Sequence, residues 1–317
     1  MDYKNILKYE YGIDTLKIAK TTGGWSADAY KVYTEKEELF LKVYDRNRKS
    51  VLPWIERISH YLPVVVWLEE QAETASHIPH LRMALNGQYR VQQGEEVFLL
   101  FDYINGTVPG NHELDKGQWR ELAQIISCLH GYSPKTLPFS RKGLQEDLSM
   151  SFGEQLHDMI RQKSGMPKRL EEELAAFEKT LLYGIAKLEY LLDFVRQGCT
   201  NLVLCHTDVH NFNLIQGDCL YLLDWEGLCI APPEADLYQF YRTTQFEDFM
   251  KIYRQNHPAY EPDKRLISYY TLRRNIKDIW EFTEQILYDN ADDAALEQAY
   301  KYLRMECEKT SSLLVDL

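Results

Sequence analysis

The sequence contains no apolar run near the roughly 20 residues that a membrane-spanning helix needs. Its densest apolar stretch, Leu62 to Leu68, is far too short, so no membrane partner is expected. The first residues, Met1-Asp2-Tyr3-Lys4, lack the apolar segment of a secretion signal. Cysteine is sparse: six are scattered without a C-x-x-C pair, which predicts reduced thiols and a cytoplasmic setting. Positive charge is also in short supply. Lys and Arg number 36 against 48 Asp and Glu, a formal net charge of -12 that argues against nucleic acid as a partner. There is no G-x-x-x-x-G-K-[ST] loop, no internal repeat, no low-complexity tract and no flexible linker. What remains is a chain of 317 residues, 45% hydrophobic, with 22 Tyr and 6 Trp. That is enough for two domains or one large one.

The negative charge is uneven. Residues 1–110 hold 15 acidic and 13 basic side chains, and residues 111–317 hold 33 and 23. An acidic larger part is either ordinary solubilising surface or a field that concentrates cationic substrates.

The chain is organised around Leu204-Cys205-His206-Thr207-Asp208-Val209-His210-Asn211-Phe212-Asn213-Leu214-Ile215, with Tyr221-Leu222-Leu223-Asp224-Trp225-Glu226 close behind. Two apolar runs that read as short strands flank a polar turn holding Asp208 and Asn213; a Gly217-Asp218 turn follows, and the next run ends in Asp224. Three oxygen-bearing side chains on strand ends suit a divalent metal that also carries phosphate ligands. An Asp base, an Asn a few residues on, and a second Asp on the next strand is the order of a kinase catalytic segment. Either residue alone would mean little, because Asp and Asn are common in hairpin turns. A zinc site from Cys205, His206 and His210 would lack the paired spacing such sites use. The ordered set predicts phosphoryl transfer.

Upstream elements agree. Lys17–Ala19, Ala29–Tyr33 and Leu39–Tyr44 read as strands. Between the first two lies Thr21-Thr22-Gly23-Gly24-Trp25-Ser26-Ala27-Asp28, whose small residues would let backbone N–H groups approach phosphates; it is not a G-x-G-x-x-G. Lys42, at the centre of the third strand, is the candidate phosphate cation. Ser50–Tyr61 reads as a helix capped by Ser50, with Leu52, Ile55, Ile58 and Leu62 on one face. Glu56 on it is the favoured carboxylate to pair with Lys42; Glu69 and Glu70, in a further helical stretch (Val64 to Ala75), compete. Glu96–Gly106 is a buried strand entering a turn, where backbone groups of Asp102, Tyr103 and Ile104 would bond adenine. Trp119–His130 is helical, residues 131–167 irregular, and Arg169–Arg196 one long helix closed by Gly198. The tail is expected helical at roughly 234–256, 262–288 and 291–313.

These residues resemble the aminoglycoside phosphotransferase and choline kinase-like superfamily, whose motif H-G-D-x-H-x-x-N followed by I-D-W-E is matched by His206–Asn213 and Leu223–Glu226. Within it, Trp225–Leu237 and Arg273–Phe282 look most like the spectinomycin phosphotransferases. The resemblance implies an α+β, bilobal, protein-kinase-like fold: an N-terminal lobe at 1–102, with a small antiparallel β-sheet and helices, and a larger, mainly helical lobe at 103–317, joined by a hinge at about 101–106. It implies ATP or GTP with Mg²⁺ and transfer of a γ-phosphoryl group to a substrate hydroxyl. By position, Asp208 would be the catalytic base, Asn213 and Asp224 the metal ligands, His206 a brace for the loop, Asp236 a structural support, and Lys42 the holder of the α/β-phosphates. Two departures stand out. Thr207 replaces the usual Gly, so that turn must tolerate a Cβ. Glu226 stands where protein kinases have the Gly of D-F-G, so no mobile activation segment is expected.

The substrate is expected to be a small alcohol, cationic in the favoured version, because an ammonium desolvates poorly without carboxylates. Candidate contacts are Glu226, Asp248, Asp278, Glu281 and Glu284, with Trp280 as an aromatic wall. A spectinomycin-type antibiotic kinase leads. A kinase of the same fold acting on choline, a sugar or another small alcohol is the alternative, and a non-catalytic, spore-coat-type binding protein is the third. The expected assembly is a monomer or weak homodimer.

Overall fold

The computed structural model describes residues 2–21, 26–162, 165–198, 201–289 and 292–316. The chain forms two compact units. The first comprises residues 1–145, 203–230 and 244–259, and the second residues 146–202, 231–243 and 260–317.

The first unit is built on an antiparallel sheet of β1 (Lys17–Thr21), β2 (Asp28–Tyr33), β3 (Glu38–Asp45), β4 (Val91–Gln93) and β5 (Glu96–Asp102), ordered β1-β2-β3-β5-β4. Side chains alternate across a strand, and β3 uses both faces. Leu39, Leu41 and Val43 join Val32, Phe98 and Leu100 in a core that the helix Tyr3–Tyr11 covers through Ile6, Leu7 and Tyr11. Lys42 and Tyr44 therefore project to the opposite face, where both are buried. The helix Tyr3–Tyr11 is not among the elements expected from the sequence. Its signals are local: the Asp2 side chain accepts from Lys4 N–H, and Gly12 closes the helix at φ 70°.

The helix after β3 differs from expectation. Ser50 lies in a single 3₁₀ turn, Lys49–Val51; one helix then runs Leu52–Glu69, with Val51 at its cap position and Pro53 in its first turn. Pro63 does not divide it. Both Pro63 and Ser59, whose carbonyl loses its i+4 donor, are exposed, so water meets the unpaired group. Of the expected face, Ile55, Ile58 and Leu62 point inward, while Leu52 is only half-buried.

After β5 the chain makes an isolated antiparallel bridge, Thr107 to Gln216, with backbone bonds of 2.9 Å in both directions. Gly106 is obligatory there, because a Cβ would stand 2.5 Å from the Gln216 carbonyl oxygen and 2.6 Å from Ile215 Cγ2. Gly106→Ala is expected to lower stability by about 1–3 kcal/mol, the usual cost of overpacking, measured by urea unfolding; an unchanged midpoint would mean that this close approach does not hold in solution. The helix Lys116–Gly131 begins with a capping box, Asp115 and Gln118 satisfying each other's backbone N–H groups. Three short strands then frame the catalytic segment: β6 (Val203–Cys205) precedes it, and β7 (Leu214–Gln216) pairs with β8 (Leu220–Leu222) after it.

The second unit is helical. Helices Ser151–Gln162, Lys168–Ala176, Glu178–Arg196, Glu234–Leu237, Lys264–Tyr288 and Asp293–Asp316 make it up. Three expectations are corrected here. The stretch 131–167 contains a helix, with Phe152, Leu156 and Ile160 inward; Gly153 within it is buried where a Cβ would press on Met150 Cε at 2.8 Å. The long helix is broken at Phe177 (φ -114°, ψ 9°). The expected helix 234–256 is two helices, Glu234–Leu237 and Phe246–Tyr253, the second in the first unit. Glycine also permits close helix packing: Gly184 lies where a Cβ would sit 3.3 Å from Ile276 and 3.4 Å from Thr310. Thr310 in turn bonds Asn275 Oδ1 at 2.8 Å, and Asn275 is fully buried, which fixes the register of the last two helices. No helix among the described residues is long and apolar enough to cross a membrane.

Candidate active site

Four predicted residues meet as two linked pairs, all in the first unit. Asn213 Nδ2 donates to the Asp208 carbonyl at 2.9 Å and to its carboxylate Oδ2 at 3.0 Å. Lys42 Nζ lies 2.6 Å from Asp224 Oδ1. The Leu223 N–H joins the pairs by donating to the Asn213 carbonyl at 2.8 Å. A hairpin thus places Asn213 beside the residue that precedes Asp224.

The loop is braced from within. His206 is fully buried. Its Nε2–H donates to the Leu223 carbonyl at 2.7 Å, and its Nδ1 accepts the Asp208 N–H at 3.3 Å. That pattern fixes the neutral Nε2–H tautomer, and the ring stacks edge-on against Trp225 at 4.7 Å. His210 Nε2 lies 3.3 Å from Asp208 Oδ1, so the Asp208 carboxylate is contacted at both oxygens.

Thr207 does adopt the conformation a glycine would take, with φ 70°. A β-branched residue pays about 1–3 kcal/mol for such a backbone. Its hydroxyl offsets part of this by donating to the Gly227 carbonyl at 3.0 Å. The two positions are matched: a Cβ at Gly227 would stand 2.4 Å from that hydroxyl. Asp224 is also left-handed, at φ 58°, a region Asp tolerates better than most residues.

The partner expected for Lys42 is corrected. Glu56 is exposed, because the turn that puts Ile55 and Ile58 inward carries residue 56 outward. The ammonium instead holds Asp224 and Glu226, each at 2.6 Å. Burial opposes its charge, but these two carboxylates outweigh burial and hold Lys42 above the ordinary lysine range. Glu226 is therefore not free to meet a substrate; it is buried and also accepts from the Tyr44 hydroxyl. The helix contributes Arg57, not Glu56. Arg57 Nε donates to the Glu226 carbonyl at 2.9 Å, and Nη2 to the Leu228 carbonyl at 2.9 Å. Sequence reading missed Tyr44, Arg57 and Tyr61. Only the alternation of β3, which sets Tyr44 on the Lys42 face, signalled any of them.

The remaining candidates separate. Gly23 and Gly24 lie outside the described residues; Ser26 is half-buried and Ala27 buried just before β2. In the segment expected as a hinge, Asp102 N–H donates to the His80 carbonyl at 2.9 Å and Tyr103 N–H to that of Glu38 at 3.2 Å. Those two N–H groups are thus engaged within the protein, whereas Ile104 N–H makes no hydrogen bond to a described residue. The Asp102 carboxylate is bonded by Arg82. Asp236 is fully buried. Asp248 is exposed and paired with Lys251 at 2.6 Å, so the structure does not group it with the others. Asp278, Glu281 and Glu284 share one face of the helix Lys264–Tyr288. Trp280 is buried in that unit's packing, which removes it as an exposed aromatic wall.

Residues 17–269 match the model of the phosphotransferase enzyme family. The chain belongs to that family. No curated protein matches it. The fold of this phosphotransferase is similar to that of spectinomycin phosphotransferase APH(9)-Ia in complex with ADP and spectinomycin, with TM-score 0.70 and 20% identity over 98% of this chain and 97% of that one. It is similar to a thermostable mutant of aminoglycoside phosphotransferase APH(4)-Ia in a ternary complex with AMP-PNP and hygromycin B (TM-score 0.60, 11% identity, 99% and 98% covered). It is also similar to macrolide 2'-phosphotransferase from Brachybacterium faecium (TM-score 0.59, 14% identity, 95% and 97% covered). At these identities the likeness is one of fold: α+β, with a small antiparallel sheet and a helical bulk, as the resemblance implied. Membership in a family of phosphotransferases favours the enzymatic alternatives over the non-catalytic one.

Proposed function

We propose that this phosphotransferase moves the γ-phosphoryl group of ATP or GTP, with Mg²⁺, to a hydroxyl of a small cationic acceptor of the aminocyclitol kind. The observation that carries this is the pairing of Asp208 with Asn213 and of Lys42 with Asp224, joined by the Leu223–Asn213 backbone bond.

The donor set fits a hard divalent cation. Asn213 Oδ1 and Asp224 Oδ2 make no hydrogen bond to any described residue, and oxygen ligands are what Mg²⁺ prefers. These two would hold the ion, which when bound neutralises charge on the phosphate oxygens. Lys42 offers its ammonium to the phosphates, the backbone at Ser26 and Ala27 approaches them, and the Ile104 N–H faces the base. Asp208, aimed by Asn213 and His210, accepts the proton of the acceptor hydroxyl. In this scheme residues 1–102 act as the nucleotide lobe and 103–317 as the catalytic and acceptor lobe. A turnover assay over aminocyclitols, aminoglycosides, choline and sugars tests the proposal. An aminocyclitol should be the fastest acceptor; selective turnover of choline or a sugar would move the acceptor class, and no turnover with any would count against the activity.

Two of the acidic candidates are already matched by cations of their own helix: Arg274 lies 2.7 Å from Asp278 and Lys277 3.2 Å from Glu281. Burial pushes the Asp278 carboxyl up to about 6, opposed by Arg274 and reinforced by Glu281; burial and Glu281 also raise Glu284. The same shift has a sign for stability. A carboxyl raised above its unfolded value of about 4 stabilises the fold only while protonated, and that contribution is lost as pH rises from about 4 through about 6. Two units correspond to about 3 kcal/mol at most. Asp278→Asn should flatten the fall in urea midpoint between about pH 4 and about pH 7; parallel profiles for the two proteins would refute the shift.

A further inference from the structure

We propose that Glu226, held by Tyr44, is the residue that positions Lys42 while nucleotide and metal occupy Asp224, the part first assigned to Glu56. The inference rests on the nucleotide reading above. Lys42 has three N–H donors. One meets Asp224 and one meets Glu226, both at 2.6 Å, and the third is left to point at a phosphate oxygen. Asp224 cannot serve as a permanent anchor, because it is also a metal ligand in that reading, and an ammonium and a divalent cation compete for one carboxylate. Glu226 has no such second task. Its side chain is 9% exposed, against 27% for that of Asp224.

Two groups fix Glu226 where it is. Tyr44, two residues along β3 from Lys42 and on the same face, donates its hydroxyl to Glu226 Oε1. Burial, then the charge of Glu226, pushes that hydroxyl well above the ordinary tyrosine range, so it stays a donor. Tyr61, buried on the helix Leu52–Glu69, adds its ring to the same cluster. Arg57 on the same helix binds the carbonyls of Glu226 and Leu228 at 2.9 Å each. The helix thus reaches the lysine through the backbone of the Trp225–Gly227 turn, and one turn carries both the metal carboxylate and the lysine anchor.

Without the anchor, Lys42 has only Asp224 to pair with, and Mg·ADP must then pull Asp224 from it. The penalty falls on the metal-bound nucleotide. Titration calorimetry with ADP, in Mg²⁺ and in EDTA, on the full chain tests this. In Glu226→Gln the affinity gained by adding Mg²⁺ should fall about tenfold, with Tyr44→Phe in between and Glu56→Gln equal to the parent. Melting temperatures and EDTA affinities monitor folding, which a purely structural role would change along with everything else. Glu226→Gln with the parental Mg²⁺ gain, or Glu56→Gln losing it, overturns the assignment. So does a Glu226→Gln variant that weakens only the acceptor. A parent chain that binds no ADP removes the nucleotide reading itself, and this inference with it.

Discussion

Replacing Asp208 by alanine should lower phosphoryl transfer by about 10³-fold, in the range general bases contribute, and leave Mg·ADP affinity within about threefold of the parent. The asymmetry follows from what the side chain touches. Its carboxylate meets Asn213 Nδ2 at 3.0 Å and His210 Nε2 at 3.3 Å, but neither Lys42 nor Asp224 is bonded to it. Asn213 keeps its second bond, to the carbonyl of residue 208 at 2.9 Å, which alanine retains. The amide therefore stays in place and its free oxygen with it. The backbone of the preceding residue is set by the Thr207 hydroxyl and the His206 ring, which the substitution does not reach. Steady-state turnover with the fastest acceptor, calorimetry with Mg·ADP and a thermal melt separate the possibilities. A variant with near-parental turnover would end the assignment of Asp208 as base. Joint loss of turnover, binding and melting temperature would mean that the loop had collapsed instead.

The site divides into a part that sequence displays and a part that it hides, and the division follows chain separation. His206, Asp208 and Asn213 lie within eight residues, and Asp224 follows after one hairpin, so residue types and spacing carry the geometry. Lys42 is legible because β3 alternates cleanly. Glu226 is different. Its identity as the lysine partner depends on contact between segments more than 180 positions apart, and nothing within either segment encodes that. A heuristic that looks for the carboxylate on the following helix selects Glu56, and helical periodicity cannot tell a carboxylate that pairs from one that is solvated. Here the buried arc of that helix runs through Ile55, Ile58, Tyr61 and Leu62, and Arg57 sits close enough to its edge to reach the Glu226 turn. The helix at Ser151–Gln162 was hidden for another reason. Its glycine, which weighs against a helix by about 1 kcal/mol in propensity, is buried against Met150, and packing outweighs that cost. The break at Phe177 has no glycine or proline to announce it, and the structure offers no local cause for it.

Asp224→Asn should remove nearly all of the affinity that Mg²⁺ adds to ADP and lower turnover by about 10³-fold, the scale of losing one preorganised charge at the transferring group. Asparagine is the substitution to choose because residue 224 sits at φ 58° and ψ 61°, where Asn is tolerated and alanine is not. The variant keeps Lys42 anchored, since Glu226 Oε1 remains 2.6 Å from the ammonium. It also lifts one negative charge from that ammonium, so metal-free ADP should bind at least as well as to the parent. Opposite movement of the two affinities, metal-bound down and metal-free level or up, is the signature of a lost metal ligand. A damaged fold would lower both. If the variant retained the parental gain from Mg²⁺, the ion would have to be held elsewhere, and the oxygens at 213 and 224 would lose the function assigned to them.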